Sequence, residues 1–470
     1  MSRLVVAGTH SGAGKTTVAL GLMAALAQRG LRVQPYKIGP DYIDPIWHTA
    51  VAGTPSRNLD LWMLSKSAIR RIASQAADIS IIEGVMGMFD GPGSTADMAR
   101  LLEAPVVLVV DAQGMAGSVA AIVRGFESLD RRVPVAGVIL NRVSGEGHYR
   151  LLQEAIDKHC RAQTLGYLLK DTQLELPERH LGLVPAHEQN RVRDLAARLV
   201  GHLEKTVNLD AVLKLSRQSP VCGVARELPA KPQRVRIAVA RDEAFCFYYE
   251  DNLALLRAEG AEIAFFSPLN DAHLPAGTSA VYFGGGFPEL FEKQLQASLL
   301  ATELRGLPIY AECGGLMFLT MIGLIPGRVT MTERLQNFGY CEATGVGSFL
   351  VRPGEIVRGH EFHYSTWDAE GLQPAFQVRR RRTNVERVEG YGSPTIHASY
   401  VHVHFLSCPW LARRFVRAAV TFSTVKTAQE NQNGLDASLC AGRGGLPDAD
   451  VVPRGRRRRR LRPVEESRET

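Results

Sequence analysis

The sequence predicts an α/β protein made of two successive parallel-sheet domains and a basic tail. Three observations predict this fold class. Apolar strands alternate with amphipathic helices from residue 3 to about 200, the alternation is lost over residues 205–233, and a second alternation follows. Strands that alternate with helices imply right-handed crossovers and therefore parallel sheets. We place the domains at residues 1–204 and 234–420, with a linker region between them and a disordered tail at 421–470.

The individual elements follow from hydrophobic pattern and turn residues. In the first domain the strands are RLVVAG, LRVQPYKIG, ISIIEGVMG, APVVLVVDA and VPVAGVILNRV, and the first helix is TTVALGLMAALAQRG, which Gly30 closes. The last two strands are β-branched throughout, as in strands buried on both faces. In the second domain the strands are VRIAVARD, AEIAFFSP, SAVYFGGGFPE and finally HASYVHVHF, and NLALLRAEG is a helix.

Composition narrows the class of protein. The 470 residues are 45% hydrophobic and 22% charged, as in soluble globular proteins. We find neither a signal peptide nor an apolar run of roughly 18 residues that would span a bilayer. Seven scattered cysteines without CxxC pairs favour the reducing cytoplasm over a disulfide framework or a zinc site.

The net charge of +7 raises the question of a nucleic-acid partner. Much of the basic clustering is confined to RRRR at 379–382 and RGRRRRRLR at 454–462. Blocks of like charge are usually solvated, so we interpret the first as a solvated loop and the second as a solvated tail. We therefore expect no nucleic acid and no membrane as partner.

The segment GTHSGAGKTT, residues 8–17, follows a strand and opens a helix, which is the context of a phosphate-binding loop. One residue more than in the usual spacing separates Gly8 from Gly14. Glycines let successive backbone N–H groups converge on phosphate oxygens, and the helix N-terminus adds positive charge. Lys15 is predicted to contact the β- and γ-phosphates, and the Thr16 hydroxyl to bind Mg²⁺.

Acidic residues follow two neighbouring strands close to this loop. PYKIGPDYIDP contains Lys37, Asp41 and Asp44, and IIEGVMGMFDG places Glu83 at the carboxyl end of its strand. Carboxylates beside a phosphate loop are where Mg²⁺ is bound in phosphoryl transfer. Turn formation is the alternative explanation for each aspartate taken alone, but the combination with the loop favours a metal site of Thr16 and these three acids.

A second reactive centre is predicted at IYAECGGLMFL, residues 309–319. The pattern is that of a strand, a tight turn carrying Cys313, and a helix. A helix N-terminus stabilises a thiolate, which can attack a carbonyl carbon. The N–H of Gly314 and one from the Gly284–Gly286 turn are candidates for an oxyanion hole. The segment SYVHVHF offers His402 and His404, on one face of a strand, as candidates for the base.

The ordered set GTHSGAGKTT, YKIGPDYIDPIWH, SRNLD, EGVMGMFDG, RHLGLVPAHE, AECGGLMFL, RGHEFHYS and ASYVHVHF resembles the family of cobyrinic and hydrogenobyrinic acid a,c-diamide synthases. The resemblance covers residues 3 to 420. It implies a dethiobiotin-synthetase-like ATPase domain followed by a class I glutamine amidotransferase domain, flavodoxin-like in fold. The implied activity is that of a carbon–nitrogen ligase of cobalamin biosynthesis.

In such an enzyme, Cys313 attacks glutamine and releases ammonia. The other domain converts the a and c acetates of the macrocycle into acyl phosphates, using ATP as substrate and Mg²⁺. The resemblance assigns the base to His402 or His404. The acid usually found two residues after this histidine is missing in either case. The resemblance assigns nucleotide binding to seven residues, with Asn141 contacting the adenine base. The other six are Gly12, Gly14, Lys15, Thr16, Thr17 and Lys37. The resemblance leaves the oligomeric state open, a homodimer included.

Other functions are disfavoured by particular residues. Partitioning ATPases of the deviant-Walker type have a signature lysine where this chain has His10, and they lack the cysteine-containing domain. Closer alternatives on the same scaffold are cobyric acid synthase and nickel-sirohydrochlorin a,c-diamide synthase. The motifs RGHEFHYS and GPDYIDP favour the a,c-diamide group, and they do not distinguish a cobalt-containing from a metal-free macrocycle.

Overall fold

The computed structural model describes residues 2–174, 185–219, 231–369, 371 and 373–441. The chain divides into two compact units after Ser423. Every site discussed below lies in the first unit, Met1–Ser423. Of the second unit the structure describes residues 424–441, which are helical. No helix in the described part of the chain is long and apolar enough to cross a membrane.

The N-terminal half is built on a seven-stranded, entirely parallel sheet, ordered β3-β2-β4-β1-β5-β6-β7. Its strands are β1 (Ser2–Gly8), β2 (Val33–Ile38), β3 (Arg57–Leu59), β4 (Ile79–Glu83), β5 (Val106–Asp111), β6 (Val135–Val143) and β7 (Gln163–Leu169). Its helices are α1 (Lys15–Gln28), α2 (Ile43–Ala52), α3 (Lys66–Ile72), α4 (Thr95–Leu102), α5 (Val119–Leu129), α6 (Glu146–His159), α7 (Pro185–Thr206) and α8 (Leu209–Ser216), with a 3₁₀ turn at Thr172–Leu174.

Helices cover both faces of this sheet. Leu4 and Val6 of β1 pack in one hydrophobic cluster with α1, α2, α7 and α8, whereas Val5 and Ala7 pack in another with α3 to α6. Side chains alternate between the two faces of a strand, so a strand buried on both faces is apolar throughout. This confirms the prediction of a doubly covered parallel sheet.

The C-terminal half contains a six-stranded sheet, ordered β10-β8-β11-β13-β21-β20, in which only β20 is antiparallel. The strands of this half are β8 (Val235–Ala240), β9 (Phe245–Phe247), β10 (Ala261–Phe266), β11 (Thr278–Phe283), β12 (Gly285–Gly286), β13 (Ile309–Glu312), β14 (Arg328–Met331), β15 (Asn337–Gly345), β16 (Ile356–His363), β17 (Ser365–Asp368), β18 (Phe376–Arg380), β19 (Glu386–Glu389), β20 (Tyr391–Gly392), β21 (Ile396–Ser399) and β22 (His402–Val403). The helices are α9 (Glu250–Ala258), α10 (Glu292–Gln296), α11 (Leu300–Leu304), α12 (Gly314–Met321) and α13 (Trp410–Ala441), with 3₁₀ turns at Pro288–Phe291 and Phe405–Ser407.

After α12 the chain forms a five-stranded antiparallel sheet, ordered β19-β18-β15-β16-β22, which the sequence analysis did not predict. The predicted last strand HASYVHVHF was wrong as one element, because β21 belongs to the parallel sheet and β22 to the antiparallel one. The Glu389 carboxylate accepts hydrogen bonds from Ser399 Oγ at 2.6 Å and from Tyr400 N at 2.5 Å. These bonds fix the segment between β21 and β22, where the chain passes from the parallel sheet to the antiparallel sheet.

Two predicted irregular segments are partly helical. Residues 205–216 of the predicted linker fall largely on the end of α7 and on α8, and α13 continues through residues 421–441 of the predicted tail. Residues 220–230 of the linker and the tail from residue 442 lie outside the described residues.

The prediction of a solvated loop at 379–382 was wrong for the first two of its four arginines, whereas Arg381 and Arg382 are exposed in the turn that follows. Arg379 and Arg380 lie on β18, where Arg379 pairs with Glu342 of β15 at 2.7 Å. The Arg380 guanidinium hydrogen-bonds Asn337, and that of Arg381 lies 4.0 Å above the ring centroid of Trp62. Cross-strand pairing and aromatic stacking therefore fix these side chains.

The core of the N-terminal half allows a direct stability test at Leu203 of α7. This side chain is fully buried and packs on α1, where a Cβ atom added at Gly21 would lie 3.0 Å from Leu203 Cδ1. We expect Leu203→Ala to lower the free energy of unfolding by about 2–5 kcal/mol, because it leaves a cavity. Leu129→Ala, at a side chain that is 71% exposed, should change it by about 0.5 kcal/mol or less. Urea denaturation of both variants measures the difference, and equal effects would contradict the packing described.

Candidate active site

Cys313 lies in a strained turn between β13 and α12, as the sequence predicts. Its φ of 50° and ψ of −105° are unusual for a residue with a side chain. Such strain occurs where a nucleophile is presented at a strand-to-helix turn. The helix can begin here only because its first residues are glycines: a Cβ atom at Gly315 would lie 2.7 Å from the Phe283 carbonyl oxygen.

Two predicted oxyanion-hole segments meet beside this thiol. A Cβ atom added at Gly314 would lie 3.1 Å from the backbone nitrogen of Gly286, so the N-terminus of α12 and the glycine turn are in contact. A Cβ atom at Gly285 would lie 2.7 Å from Cε1 of His402. Cys313, the glycine turn and one candidate base are therefore adjacent.

Of the two candidate histidines, His402 is the one beside the thiol. It is 2% exposed, and its Nδ1 atom lies 3.5 Å from Oε2 of Glu312. Burial opposes protonation of this imidazole, but hydrogen bonding to Cys313 and Glu312 outweighs burial and raises the pKa of His402 to about 10. A protonated imidazole beside sulfur favours the nucleophilic thiolate.

Glu312 is a site residue that the sequence analysis missed. It is the last residue of β13, directly before Cys313, and it is fully buried. Its Oε1 accepts hydrogen bonds from Tyr310 Oη and, at 3.2 Å, from Val403 N, and its Oε2 accepts one from Tyr282 Oη at 3.3 Å. The feature of the sequence that could have identified Glu312 is an acidic residue at the end of an otherwise apolar strand.

His404 occupies a different environment. It is fully buried, stacks on Tyr249 with a centroid distance of 4.7 Å, and its Nε2 lies 3.7 Å from Asp251 Oδ2. Burial lowers the pKa of His404 to about 4, so the ring is neutral at physiological pH. Asp251 in turn pairs with Arg57 of the N-terminal half. His404 thus belongs to the contact between the two halves.

The C-terminal half contains a cavity of about 370 Å³. Its lining includes His363, Arg387, Glu389 and Tyr400. Burial raises the pKa of Tyr400 and the nearby Cys313 raises it further, so the phenol lies close to the sulfur. Burial and the neighbouring Glu361 raise the pKa of Glu389 to about 7. The cavity therefore offers both a guanidinium and carboxyl groups, and its wall includes one side chain, Tyr400, near Cys313.

The phosphate loop has the predicted conformation. Gly12 and Gly14 take positive φ angles of 85° and 96°, which side chains rarely adopt. Lys15, the first residue of α1, donates from Nζ to the His10 carbonyl oxygen at 3.1 Å, and Thr17 is half-buried in the same helical turn. Asn141 is buried and donates to the Ala13 carbonyl oxygen at 3.0 Å, so its amide lies against the loop.

Glu83 joins this loop to the acidic segment after β2. Thr16 Oγ1 donates to Glu83 Oε1 at 2.6 Å, and Lys37 Nζ lies 2.8 Å from the same oxygen. His48, which the sequence analysis missed, contacts Glu83 Oε2 through Nε2 at 2.6 Å. Although burial opposes ionisation, Lys37 and His48 hold the pKa of Glu83 below its usual range. His48 lies one helical turn after Asp44, a spacing that places both on one face of α2.

Asp41 and Asp44 are held in defined positions. Asp41 Oδ1 accepts hydrogen bonds from the N–H groups of Ile43 and Asp44, at 2.9 and 3.2 Å, as α2 begins. The Asp44 carboxylate lies 2.5 Å from Lys37 Nζ. Burial opposes the charge on Lys37, but Asp44 and Glu83 outweigh it and raise its pKa. In the described residues, no three His, Cys, Asp or Glu side chains are grouped to hold a metal ion by themselves.

Tyr42 connects the two reactive centres. It lies between Asp41 and Asp44 in the chain, yet its ring packs against the C-terminal half, 5.1 Å from the His402 ring and 5.2 Å from that of Phe247, centroid to centroid. Its burial places the acidic segment and the histidine on opposite sides of one aromatic side chain.

Two family models match this chain. The CobQ/CobB/MinD/ParA nucleotide binding domain matches residues 4–184, and the CobB/CobQ-like glutamine amidotransferase domain matches residues 236–410. The first match covers the phosphate loop and the acids, and the second covers Cys313 and both histidines. The crystal structure of a glutamine amidotransferase from Thermotoga maritima aligns with 41% of this chain and 93% of its own, at 16% identity and a TM-score of 0.28. That similarity is too low to support an inference.

Curated relatives match over nearly their whole length. The cobyrinate a,c-diamide synthase of Dehalococcoides mccartyi (strain CBDB1) is 42% identical, over 90% of this chain and 99% of its own. Those of Priestia megaterium and Salmonella typhimurium are 45% and 44% identical, over 88% of this chain and 96% and 97% of their own. With this identity and coverage, and with both domains present in the same order, the chain belongs to the cobyrinate a,c-diamide synthase family.

Proposed function

We propose that this protein is a glutamine-hydrolysing ligase that amidates the a and c acetate carboxylates of cobyrinate, at the expense of ATP. The observation that supports it most strongly is the pairing of two chemistries in one compact unit. A buried thiol, imidazole and carboxylate are grouped in the C-terminal half, and a phosphate loop with a buried glutamate is found in the N-terminal half. The names of the relatives favour cobyrinate as the macrocycle.

Ammonia is released in the C-terminal half. The Cys313 thiolate attacks the carboxamide carbon of glutamine, and the N–H groups near Gly314 and Gly286 receive the negative charge that develops on oxygen. His402 gives its proton to the leaving nitrogen, so that the C–N bond breaks and ammonia departs. Water, deprotonated by His402, then cleaves the γ-glutamyl thioester to glutamate. Glu312 keeps the imidazole oriented through both steps.

The cavity lined by Tyr400 has the chemistry to hold a free amino acid. Arg387 pairs with Glu361, and Glu389 accepts only from Ser399 Oγ and Tyr400 N among the hydrogen bonds described. A guanidinium suits an α-carboxylate and a carboxylate suits an α-ammonium group. We assign the cavity to the α-amino acid end of glutamine.

The carboxylate of the macrocycle is activated in the N-terminal half. One oxygen of the acetate attacks the γ-phosphorus of ATP, which forms an acyl phosphate and releases ADP. The phosphate loop and Lys15 hold the nucleotide phosphates. Thr16, Asp41 and Glu83 present oxygen atoms of the kind that Mg²⁺ prefers, and Mg²⁺ keeps several waters and needs few protein ligands. When bound there, it would offset negative charge on the phosphates.

Amide formation then combines the ammonia released in the C-terminal half with the acyl phosphate formed in the N-terminal half. Ammonia attacks the acyl carbon, phosphate leaves with the C–O bonding pair, and a proton is lost from nitrogen. A free carboxylate resists this attack because its oxygen is a poor leaving group, and ammonia is mostly protonated at neutral pH. Cys160, Cys246, Cys313, Cys341 and Cys408 are free thiols, which supports action in the reducing cytoplasm.

Incubation with ATP, Mg²⁺, glutamine and either cobyrinate or hydrogenobyrinate tests the substrate directly. We expect mass spectrometry to show two new amides on cobyrinate. Amidation of other carboxylates would instead identify cobyric acid synthase chemistry, and no ATP consumption with either macrocycle would overturn the proposal.

Cys313→Ala separates the two half-reactions. We expect it to abolish glutamine-dependent synthesis, because the nucleophile is gone, and to retain synthesis from added ammonia. Cys408→Ala, at another buried thiol, should retain both. Product assays with each nitrogen source measure this. Loss of both reactions in Cys313→Ala would contradict the assignment of Cys313 as the nucleophile of glutamine hydrolysis.

Glu83→Gln should affect both nitrogen sources alike. Loss of its charge removes the group that joins Thr16, Lys37 and His48, so we expect synthesis to slow by about 100-fold or more with glutamine or ammonia. Glu127→Gln, at a buried glutamate that accepts from Arg161 N and Ala162 N, is the control. Near-normal rates of synthesis in Glu83→Gln would show that Glu83 has no role in the synthetase reaction.

Glu312→Gln tests the orientation of His402 through pH dependence. The imidazolium is present below its pKa of about 10 and is lost above it. Glu312 raises that pKa, so its neutralisation should move the alkaline limb of kcat/KM for glutamine hydrolysis to lower pH and reduce the plateau by about tenfold or more. Glu355→Gln, which weakens a pair with Arg414, should leave the profile unchanged. An unmoved alkaline limb in Glu312→Gln would exclude this role.

A further inference from the structure

We propose that the macrocycle docks on a surface formed by Trp62 and three arginines of the five-stranded sheet, Arg358, Arg379 and Arg381, which we call the arginine–tryptophan face. The inference rests on the proposed function for the identity of the ligand. It adds a binding surface that lies outside the phosphate loop, the acids and the thiol site.

The face is built by stacking across the two halves of the molecule. Trp62 follows β3 of the N-terminal half, and the guanidinium of Arg358 lies 4.6 Å and that of Arg381 4.0 Å from its ring centroid. A guanidinium that stacks on an aromatic ring keeps its N–H edge available for an anion. Stacking on Trp62 therefore fixes the two arginines and leaves the N–H groups at the edge of each guanidinium able to donate hydrogen bonds.

Charge on this face is incompletely balanced. Glu342 is the carboxylate that pairs with both Arg358, at 3.3 Å, and Arg379, at 2.7 Å. Over the described residues, no carboxylate forms an ion pair with Arg381, which is exposed. Arg358 and Arg379 are themselves about half exposed, at 50% and 53% of their side-chain surface. Three guanidinium groups thus face solvent against two carboxylates, the paired Glu342 and the buried Asp60, whose charge acts on Arg381. This excess of positive charge suits a ligand that carries several carboxylates.

The same face of the sheet also carries an exposed aromatic pair, on the far side of Tyr340 and His360 from the arginines. Phe338 and Phe362 lie opposite one another on β15 and β16, in the same alternation as Tyr340 and His360. Their rings meet edge to face at 5.6 Å, and they are 65% and 40% exposed. A large exposed aromatic pair marks a binding surface more often than a solvated one. A tetrapyrrole has the matching shape: a broad apolar ring with carboxylates at its periphery.

The face also adjoins the site where the acyl phosphate would form. Asp60 accepts from Trp62 N at 2.8 Å and from Tyr340 Oη at 2.6 Å, so it anchors Trp62 against the sheet. Asn58, two residues earlier, donates to the Asp41 carbonyl oxygen at 2.7 Å. A ligand bound on the face is therefore next to the segment that carries Asp41 and Asp44, which is where an acetate side chain must reach.

The test compares steady-state kinetics for cobyrinate, glutamine and ATP in arginine variants. For Arg381→Ala and Arg358→Ala we expect the KM for cobyrinate to rise about tenfold or more, since each loses a charge-assisted contact, while KM values for glutamine and ATP stay within about twofold. Arg381→Lys should recover part of the affinity, because it keeps the charge but not the planar stack. Arg236→Ala is the matched control, since Arg236 also pairs with a glutamate, Glu262, on a neighbouring strand.

Each outcome has one meaning. If the wild type amidates cobyrinate and Arg381→Ala and Arg358→Ala keep its KM, the docking face is wrong and the proposed function stands. If the wild type does not amidate any corrin polyacid, the proposed function itself fails. Phe338→Ser provides a separate measurement: conversion of a dimer into a monomer in sedimentation, with an unchanged KM for cobyrinate, would assign the exposed aromatic pair to a second copy of the chain and overturn the inference.

Discussion

The contact on which both reactive centres depend is the packing of Tyr42 against His402. The ring is fixed on the C-terminal side by Phe247, Tyr249 and His360, while the backbone on either side of it carries Asp41 and Asp44. Burial raises the pKa of Tyr42 well above its usual range, so the side chain remains a neutral phenol. Since protein interiors are close-packed, the segment that carries the acids cannot shift without displacing a ring that touches the imidazole.

Both centres also place charges where water is excluded, and this requires that each charge be compensated. Lys37 bridges Asp44 and Glu83, and Glu312 is held by two tyrosines and a backbone N–H beside His402. Desolvation of such groups costs several kcal/mol, which only well-placed partners offset. The benefit is that the groups are already oriented before substrates bind, so little reorganisation is needed during the reaction.

The features that could be predicted from the sequence are those that depend on residues close together in the chain. A phosphate loop between β1 and α1, and a cysteine followed by two glycines after β13, depend on neighbours in the chain, and the fold class follows from hydrophobic alternation. Residues that act across long separations carried no local signal. His48 reaches Glu83 only through the packing of α2, and Arg381 reaches Trp62 only because the two halves meet. The antiparallel sheet was missed because its strands carry polar residues on both faces, which obscures the alternation of apolar and polar positions.

The position of the acid in the thiol site follows from this topology. The residue two after His402, where a carboxylate would ordinarily orient the imidazole, is His404, and its ring stacks on Tyr249 in the contact between the halves. An acid at that position would bury a negative charge next to Asp251, which already lies 3.7 Å from the His404 ring. The chain instead changes sheets between β21 and β22, which brings Val403 N onto Glu312 of β13. Glu312, directly before Cys313, therefore lies 3.5 Å from Nδ1 of His402. In the mechanism proposed above, this carboxylate takes the place of the missing acid.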